Sequence, residues 1–271
     1  MDTWVHLGIE DGASTFRLNS WSQFFDFLEA KVFNLPGTRG RSYIWRGQRR
    51  ADWSLSSTLD RQLENLGMLA LPLNDLEDVS AEHLRQFKLA ARGRRGPAPA
   101  VLSENEWWAL GQHFGLATPL LDWTRAPFAA LYFAYEEVSF DPNVPRAIYG
   151  LDERAVLSKA SELDHGPSIE RGRLPIVELV DPMSDENQRL VSQGGCFTRA
   201  PIGTPIEKWV SDEFEGSSES FLIRVELPNT DRLGCLQALN RMNINHLSLF
   251  PDLSGASRST NLRLEITHQQ L

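Results

Sequence analysis

The chain is poor in cysteine and lysine and has no long apolar run. Cys196 and Cys235 are its two cysteines, too few for a disulfide framework and lacking metal-site spacing, so a reducing, cytoplasmic location is expected. No stretch approaches the length of a membrane span, and Met1-Asp2-Thr3-Trp4 lacks the basic region and apolar run of a secretory signal. Also missing are a Gly-rich loop ending in Gly-Lys-Ser/Thr, a dinucleotide-binding glycine fingerprint and a His-Glu-x-x-His pair. His6, His83, His113, His165, His246 and His268 are scattered, so a metal hydrolase is not expected, nor any bound metal. Ser192-Gln193-Gly194-Gly195 has no Gly two residues before its serine, as a nucleophile elbow requires. Cys196 stands beside Phe197 with no evident base and reads as a buried thiol.

The net charge of -9 argues against indiscriminate coating of nucleic acid. Of 27 basic residues only Lys31, Lys88, Lys159 and Lys208 are lysines. The arginine fork suits phosphate and carboxylate, although genomic base composition produces the same bias. Two local clusters say more: Arg39, Arg41, Arg46, Arg49 and Arg50, then Arg92, Arg94 and Arg95.

With 271 residues, 41% hydrophobic and 23% charged, this is an ordinary globular composition with room for a substantial core. No internal repeat or long linker divides it. Ser20 caps a helix carrying Trp21, Phe24, Phe25, Leu28 and Val32 at helical spacing, ending before Pro36-Gly37. Residues 42–47 read as a strand that delivers Arg46 to its end, with Gly47 permitting a close backbone approach or an unusual dihedral. Residues 57–66 and 80–92 read as helices, followed by an exposed, mobile basic loop at 92–99. Strands are expected at 146–151, 175–180 and 218–226, a helix at 230–242, and a short helix then a strand in the tail. Helices come first and strands mostly later, so the fold class expected is α+β in a single domain. A helical lead-in would span 1–40, the main domain 41–255, and a packed tail 256–271.

One stretch organises the rest: Trp107 to Ala134 reads as an apolar helix ending at Gly115, a turn with Thr118 and Pro119, and a second apolar helix opening at Thr124. Ser103 and Glu106 form a capping box for the first; Thr124 as N-cap and Pro127 in the first turn suit the second. His113, Asp122, Trp123 and Thr124 are the polar or amphipathic side chains of that corner, and they either staple it or face a ligand.

These residues resemble the central block of the FRG domain family, named for a Phe-Arg-Gly tripeptide: Gln112-His113-Phe114-Gly115, Thr118, Leu121-Asp122-Trp123-Thr124 and Ala130-Leu131-Tyr132-Phe133-Ala134. The tripeptide stands here as Trp45-Arg46-Gly47. The similarity continues in Trp53-Ser54-Leu55, Arg61, Asn187, Arg189, Gln193, Gly195, Phe197 and Leu249-Phe250-Pro251-Asp252-Leu253. At a remove, Tyr43 to Gly47 and Trp123 to Ala134 are similar to the first two blocks of the arginine-serine-glutamate mono-ADP-ribosyltransferases. That likeness implies a split sheet, NAD as ligand, Arg46 on its phosphates, and a pocket around Tyr43, Trp45, Gly47, Trp123 and Thr124.

The glutamate of that class precedes a Gly-x-Phe turn, but Gly195-Cys196-Phe197 follows Asn187, Arg189 and Gln193, which instead read as pocket lining with Phe197. Either Glu186 or Asp252 supplies the carboxylate, or the site binds without turnover. His113 is a core histidine or a site residue; Asp122 is a helix cap, an arginine partner or a site residue; Trp123 is a core anchor or a stacking platform. Three functions follow. The chain is an ADP-ribosyltransferase acting as a toxin or phage-defence effector with a neutralising partner, a nucleotide or nucleic-acid sensor, or a protein-interaction module.

Overall fold

The structure, a computed structural model, describes residues 4–34, 41–164, 175–182 and 192–268. Eight strands among these residues form one sheet: β1 (Trp4–Glu10), β2 (Ala13–Leu18), β3 (Tyr43–Gln48), β4 (Leu120–Thr124), β5 (Arg146–Asp152), β6 (Glu178–Val180), β7 (Gly195–Arg199) and β8 (Leu222–Leu227). Their spatial order is β1-β2-β8-β5-β3-β4-β7-β6. All neighbours run antiparallel except β2 and β8, which are parallel. Mixed helices and a largely antiparallel sheet make this an α+β fold, as the element order in the sequence suggested.

The helices are α1 (Phe24–Leu28), continuing as a π turn over Glu29–Phe33, then α2 (Thr58–Asn65), α3 (Leu73–Ala90), α4 (Glu104–His113) and α5 (Pro127–Tyr135). After them come α6 (Glu153–Asp164), α7 (Ile206–Glu213), α8 (Arg232–Arg241), α9 (His246–Leu249) and α10 (Leu253–His268). The Ser103–Glu106 capping box opens α4, and Ser20 with Gln23 forms another ahead of α1.

Alternation along the central strands builds two cores. Ile148, Ile223, Val225 and Trp45 pack with α1, α5 and α8 on one face. Ala147, Tyr149, Leu151, Ile44 and Leu222 pack with Leu55, Val156, Ile206 and Trp209 on the other. At the far end of the sheet, Leu120, Phe197 and Val180 pack on Trp108 of α4 and Leu84 of α3.

Two glycines make the centre possible. A Cβ on Gly150 would lie 2.7 Å from the Trp45 ring, so only glycine lets that indole cross β5. A Cβ on Gly47 would lie 1.9 Å from the Ala130 carbonyl oxygen and 2.6 Å from the Ala134 nitrogen, so α5 rests directly on β3. Of the two expectations for Gly47, close approach is the one the backbone uses.

Several sequence-based expectations are corrected. Residues 120–124 are the strand β4, not part of a turn, and the next helix opens at Pro127 with Ala126 as N-cap. Thr124 instead ends β4, its hydroxyl accepting from Ala126 N at 3.0 Å. Gly195-Cys196-Phe197 lies in β7, paired with β4, rather than in a turn. The tail is the single helix α10, α3 begins at Leu73 rather than Ser80, and the strand expected at 175–180 is β6 alone. The lead-in expected as helical opens instead with the β1–β2 hairpin, ahead of α1.

Candidate functional site

The sheet has a weak line. Neighbouring strands elsewhere share ladders of three to six residue pairs, whereas β3 and β4 share one, Trp45 with Thr124. Beyond that pair the two strands part, and a slot of about 370 Å³ is lined by residues of both, with Phe133, Glu136 and Glu137 from the end of α5 and its exit, Gln193, and Phe250. Strand alternation places Arg46 on the face it shares with Tyr149, and Asp122 on the face it shares with Leu120. The slot is therefore built from both faces of the sheet.

Arg46 spans the gap. Its Nη1 donates to the Asp122 carbonyl at 2.8 Å and lies 3.9 Å from that residue's carboxylate. Its Nε is buried and makes no hydrogen bond. Burial pulls the guanidinium below its ordinary pKa, and Asp122 opposes this only in part. The Asp122 carboxylate is turned by Gln112, whose Nε2 donates to it at 2.7 Å, while Gln112 Oε1 accepts from the Thr118 hydroxyl. Thus the Gln112, Thr118 and Asp122 of the sequence block form one chain of bonds ending at Arg46.

The other wall belongs to residues that carried no expectation of a site role. Arg49 donates to Glu137 at 2.5 Å and lies 5.0 Å over the ring of Trp53, which is 43% exposed. Glu136 Oε2 is buried and 3.5 Å from His246 Nδ1. The same nitrogen sits 3.1 Å from the Tyr132 hydroxyl, and the His246 ring stacks on Phe250 at 4.2 Å. Trp53 and Phe250 were visible as parts of sequence blocks; Glu136 and Glu137 had no signal beyond following an apolar helix.

The exit of α5 is held by two arginines. Arg146, 1% exposed, donates to the Ala134 and Glu137 carbonyls, and Arg232 donates to those of Tyr135 and Glu136. These are the orphan carbonyls of a helix end, where cations are also favoured by the helix dipole. The two arginines fix where Glu136 and Glu137 emerge.

Of the expected site residues, Trp45, Arg46, Gly47, Asp122, Trp123, Thr124 and Gln193 meet in the slot. Trp45 and Trp123 are buried, so they form its frame rather than an open stacking surface. Thr124 donates to the Gln193 carbonyl at 2.5 Å, and Gln193 Nε2 donates to Leu249 O at 3.1 Å, which ties the segment before β7 to the slot. Tyr43, Phe197, His113 and Asp252 do not line it. Tyr43 packs against Trp45 at the start of β3, Phe197 is in the core beneath α4, and the His113 ring meets Phe114 edge-on. Asp252 caps α10, its carboxylate accepting from Gly255 N at 2.8 Å. Glu186, Asn187 and Arg189 lie outside the described residues.

Trp123 donates its indole N–H to the buried Thr198 hydroxyl at 2.8 Å. Trp123→Phe is expected to lower stability by about 1–2 kcal/mol, the effect of a lost buried hydrogen bond, measured by urea denaturation. An unchanged midpoint would mean that Thr198 finds another partner.

Cys196 is buried, and burial raises its thiol pKa to about 12, as befits an inert core residue. Among the described residues no group of three or more His, Cys, Asp or Glu could hold a metal, and no helix is long and apolar enough to cross a membrane.

Compared with protein families, residues 41–141 match the model of the FRG domain. That span runs from the residues before β3 to those after α5 and includes Arg46, Asp122, Glu136 and Glu137. No curated protein and no solved structure matches the chain.

Proposed function

With an FRG domain over residues 41–141, we propose that the slot between β3 and β4 binds NAD or a closely related nucleotide and that the protein transfers ADP-ribose from it. The observation that carries this reading is Arg46. A half-buried cation with a buried, unpartnered Nε, one carbonyl bond and a carboxylate no closer than 3.9 Å is incompletely compensated, and an arriving pyrophosphate relieves that cost through the planar guanidinium. Trp53 offers a half-exposed ring for a base, and a volume of about 370 Å³ lies within the range of small-molecule sites.

In the reaction, the bond between nicotinamide and ribose breaks, nicotinamide leaves with the bonding pair, and an acceptor nucleophile takes the ADP-ribosyl group. The developing positive charge on the ribose needs a carboxylate. Asp122, which lines the slot and is oriented by Gln112, is the carboxylate placed for that role; of the two the sequence offered for it, Asp252 is engaged as a helix cap and Glu186 lies outside the described residues. A lethal transferase of this kind, a toxin or phage-defence effector, requires a neutralising partner protein.

A second reading is a nucleotide sensor without turnover, favoured by the engagement of Asp252 in the α10 cap. Calorimetric titration with NAD and an assay for released nicotinamide separate the two. Arg46→Ala is expected to weaken binding by more than about tenfold, the equivalent of roughly 1.5–3 kcal/mol for a lost charge-assisted contact. Release that Asp122→Asn suppresses while binding survives supports transfer; binding without release supports the sensor. No binding at all removes NAD as the ligand.

A further inference from the structure

The basic loop after α3 has no part in the slot. It closes a separate groove of about 750 Å³ between the ends of α3 and α4, walled by Phe87, Ala90, Ala91, Leu110 and Phe114 and edged by Arg94 and Arg95. No carboxylate lines this groove. Phe114 is 73% exposed, and Arg92 and Arg94 are exposed and make no ion pair among the described residues. Among the described residues Arg94 donates to the Ala90 carbonyl, which accepts the bond without neutralising the charge. By contrast, in the other arginine cluster Arg41 pairs with Asp152 and Glu219, Arg49 with Glu137, and Arg50 with Asp52. In a chain of net charge -9, an apolar groove edged by Arg94, with Arg92 two residues before it in the same loop, is a local inversion of charge.

We propose that this groove docks an acidic amphipathic segment of a partner protein, with an apolar side chain seated between Phe87, Leu110 and Phe114 and carboxylates on Arg92 and Arg94. Charge complementarity selects the acidic partner, and apolar walls that include Ala90, Ala91 and Leu110 beside the two phenylalanines suit a side-chain anchor. Single-stranded nucleic acid needs a run of open aromatic faces, but Trp107 is already covered by Lys88 at 5.7 Å and Arg95 at 4.6 Å, and Phe87 meets it edge-on. The inference is independent of what the slot binds.

The probe is a fluorescein-labelled helical peptide of about 16 residues, with Leu at every third or fourth position and Glu elsewhere, followed by anisotropy. The wild-type chain is expected to bind it at micromolar concentration, more weakly as NaCl is raised. Arg92→Glu with Arg94→Glu, and separately Phe114→Ala, are each expected to weaken binding by about tenfold or more. These are exposed side chains, and an unchanged circular dichroism spectrum verifies that the variants fold. The proposal is overturned if the peptide does not bind, if the variants bind it as well as wild type, or if a Leu→Ser peptide binds equally. It is overturned in favour of nucleic acid if an oligothymidylate of about 12 nucleotides binds with this dependence and the peptide does not.

Discussion

Gly47→Ala is expected to lower stability by more than about 3 kcal/mol, beyond the usual range for one added methyl group, and to reduce the yield of folded protein. The added Cβ would fall 1.9 Å from a backbone oxygen of α5 and 2.6 Å from a backbone nitrogen. A crowded side chain can turn aside, but a helix backbone can only lift as a body. Lifting α5 would also uncover Ala130 and Ala134, both fully buried against β3, and displace Phe133 and Glu136 from the slot. For a chain of this size the thermal midpoint should fall by roughly 6–12 °C. A midpoint within a degree or two of wild type would show that α5 sits further from β3 than described. The third residue of the Trp-Arg-Gly tripeptide is therefore a packing residue first, whatever the slot binds.

Arg146→Met should cost about 3 kcal/mol or more, measured by urea denaturation. The side chain is fully buried without a carboxylate, and burial pulls its pKa down to about 10. Its guanidinium is instead surrounded by the Ala134 and Glu137 carbonyls, the Asn229 side-chain oxygen at 3.0 Å, and the face of the Tyr135 ring at 4.7 Å. Methionine fills much of the same volume and removes the desolvation cost of the charge. It leaves three buried or partly buried acceptors without this donor, two of them at a helix end, and that loss is the larger effect. Arg146→Lys keeps the charge but not the fork, so it should recover only part of the stability. Equal stability of Arg146→Met and wild type would mean that the desolvation cost cancels all the bonds. If the slot binds a nucleotide as proposed, loss of that binding in Arg146→Met at temperatures where it remains folded would show that the α5 exit orders the slot.

Local chemistry was readable in the sequence wherever it was sufficient. Ser20, Ser57 and Ser103 each begin a helix because a side-chain oxygen within reach of a free amide decides the matter locally. The strand at 146–151 was legible from its composition, and so was β3, although it runs on to Gln48 and holds Arg46 within it rather than at its end. What misled was β4. Leu120-Leu121-Asp122-Trp123-Thr124 is five residues between two apolar helices, too short for its alternation to stand out, and its strand character comes from pairing with β7, more than seventy residues later. The same long-range pairing turned Gly195-Cys196-Phe197 from an expected turn into a strand. In the site, Arg46, Asp122 and Gln193 could be proposed because they belong to recognisable blocks. Glu136 and Glu137 could not, because their place depends on Arg146 and Arg232 gripping the end of α5 from distant parts of the chain. Asp252 shows the opposite error, a carboxylate in a recognisable block whose work is to cap a helix.

The parallel pairing of β2 with β8 has a consequence for how the chain reaches this state. Residues 13–17 align with residues 222–226, so the first hairpin has no central neighbour until β8 has been synthesised. Contacts of such sequence separation slow folding, because a large loop must close before they stabilise anything. During synthesis, Phe16 and Leu18, buried in the finished molecule, wait exposed beside an unpaired edge. A fragment ending before residue 222 would keep the Arg46 block and β4 while leaving the hairpin unpaired, and it should aggregate rather than stay in solution.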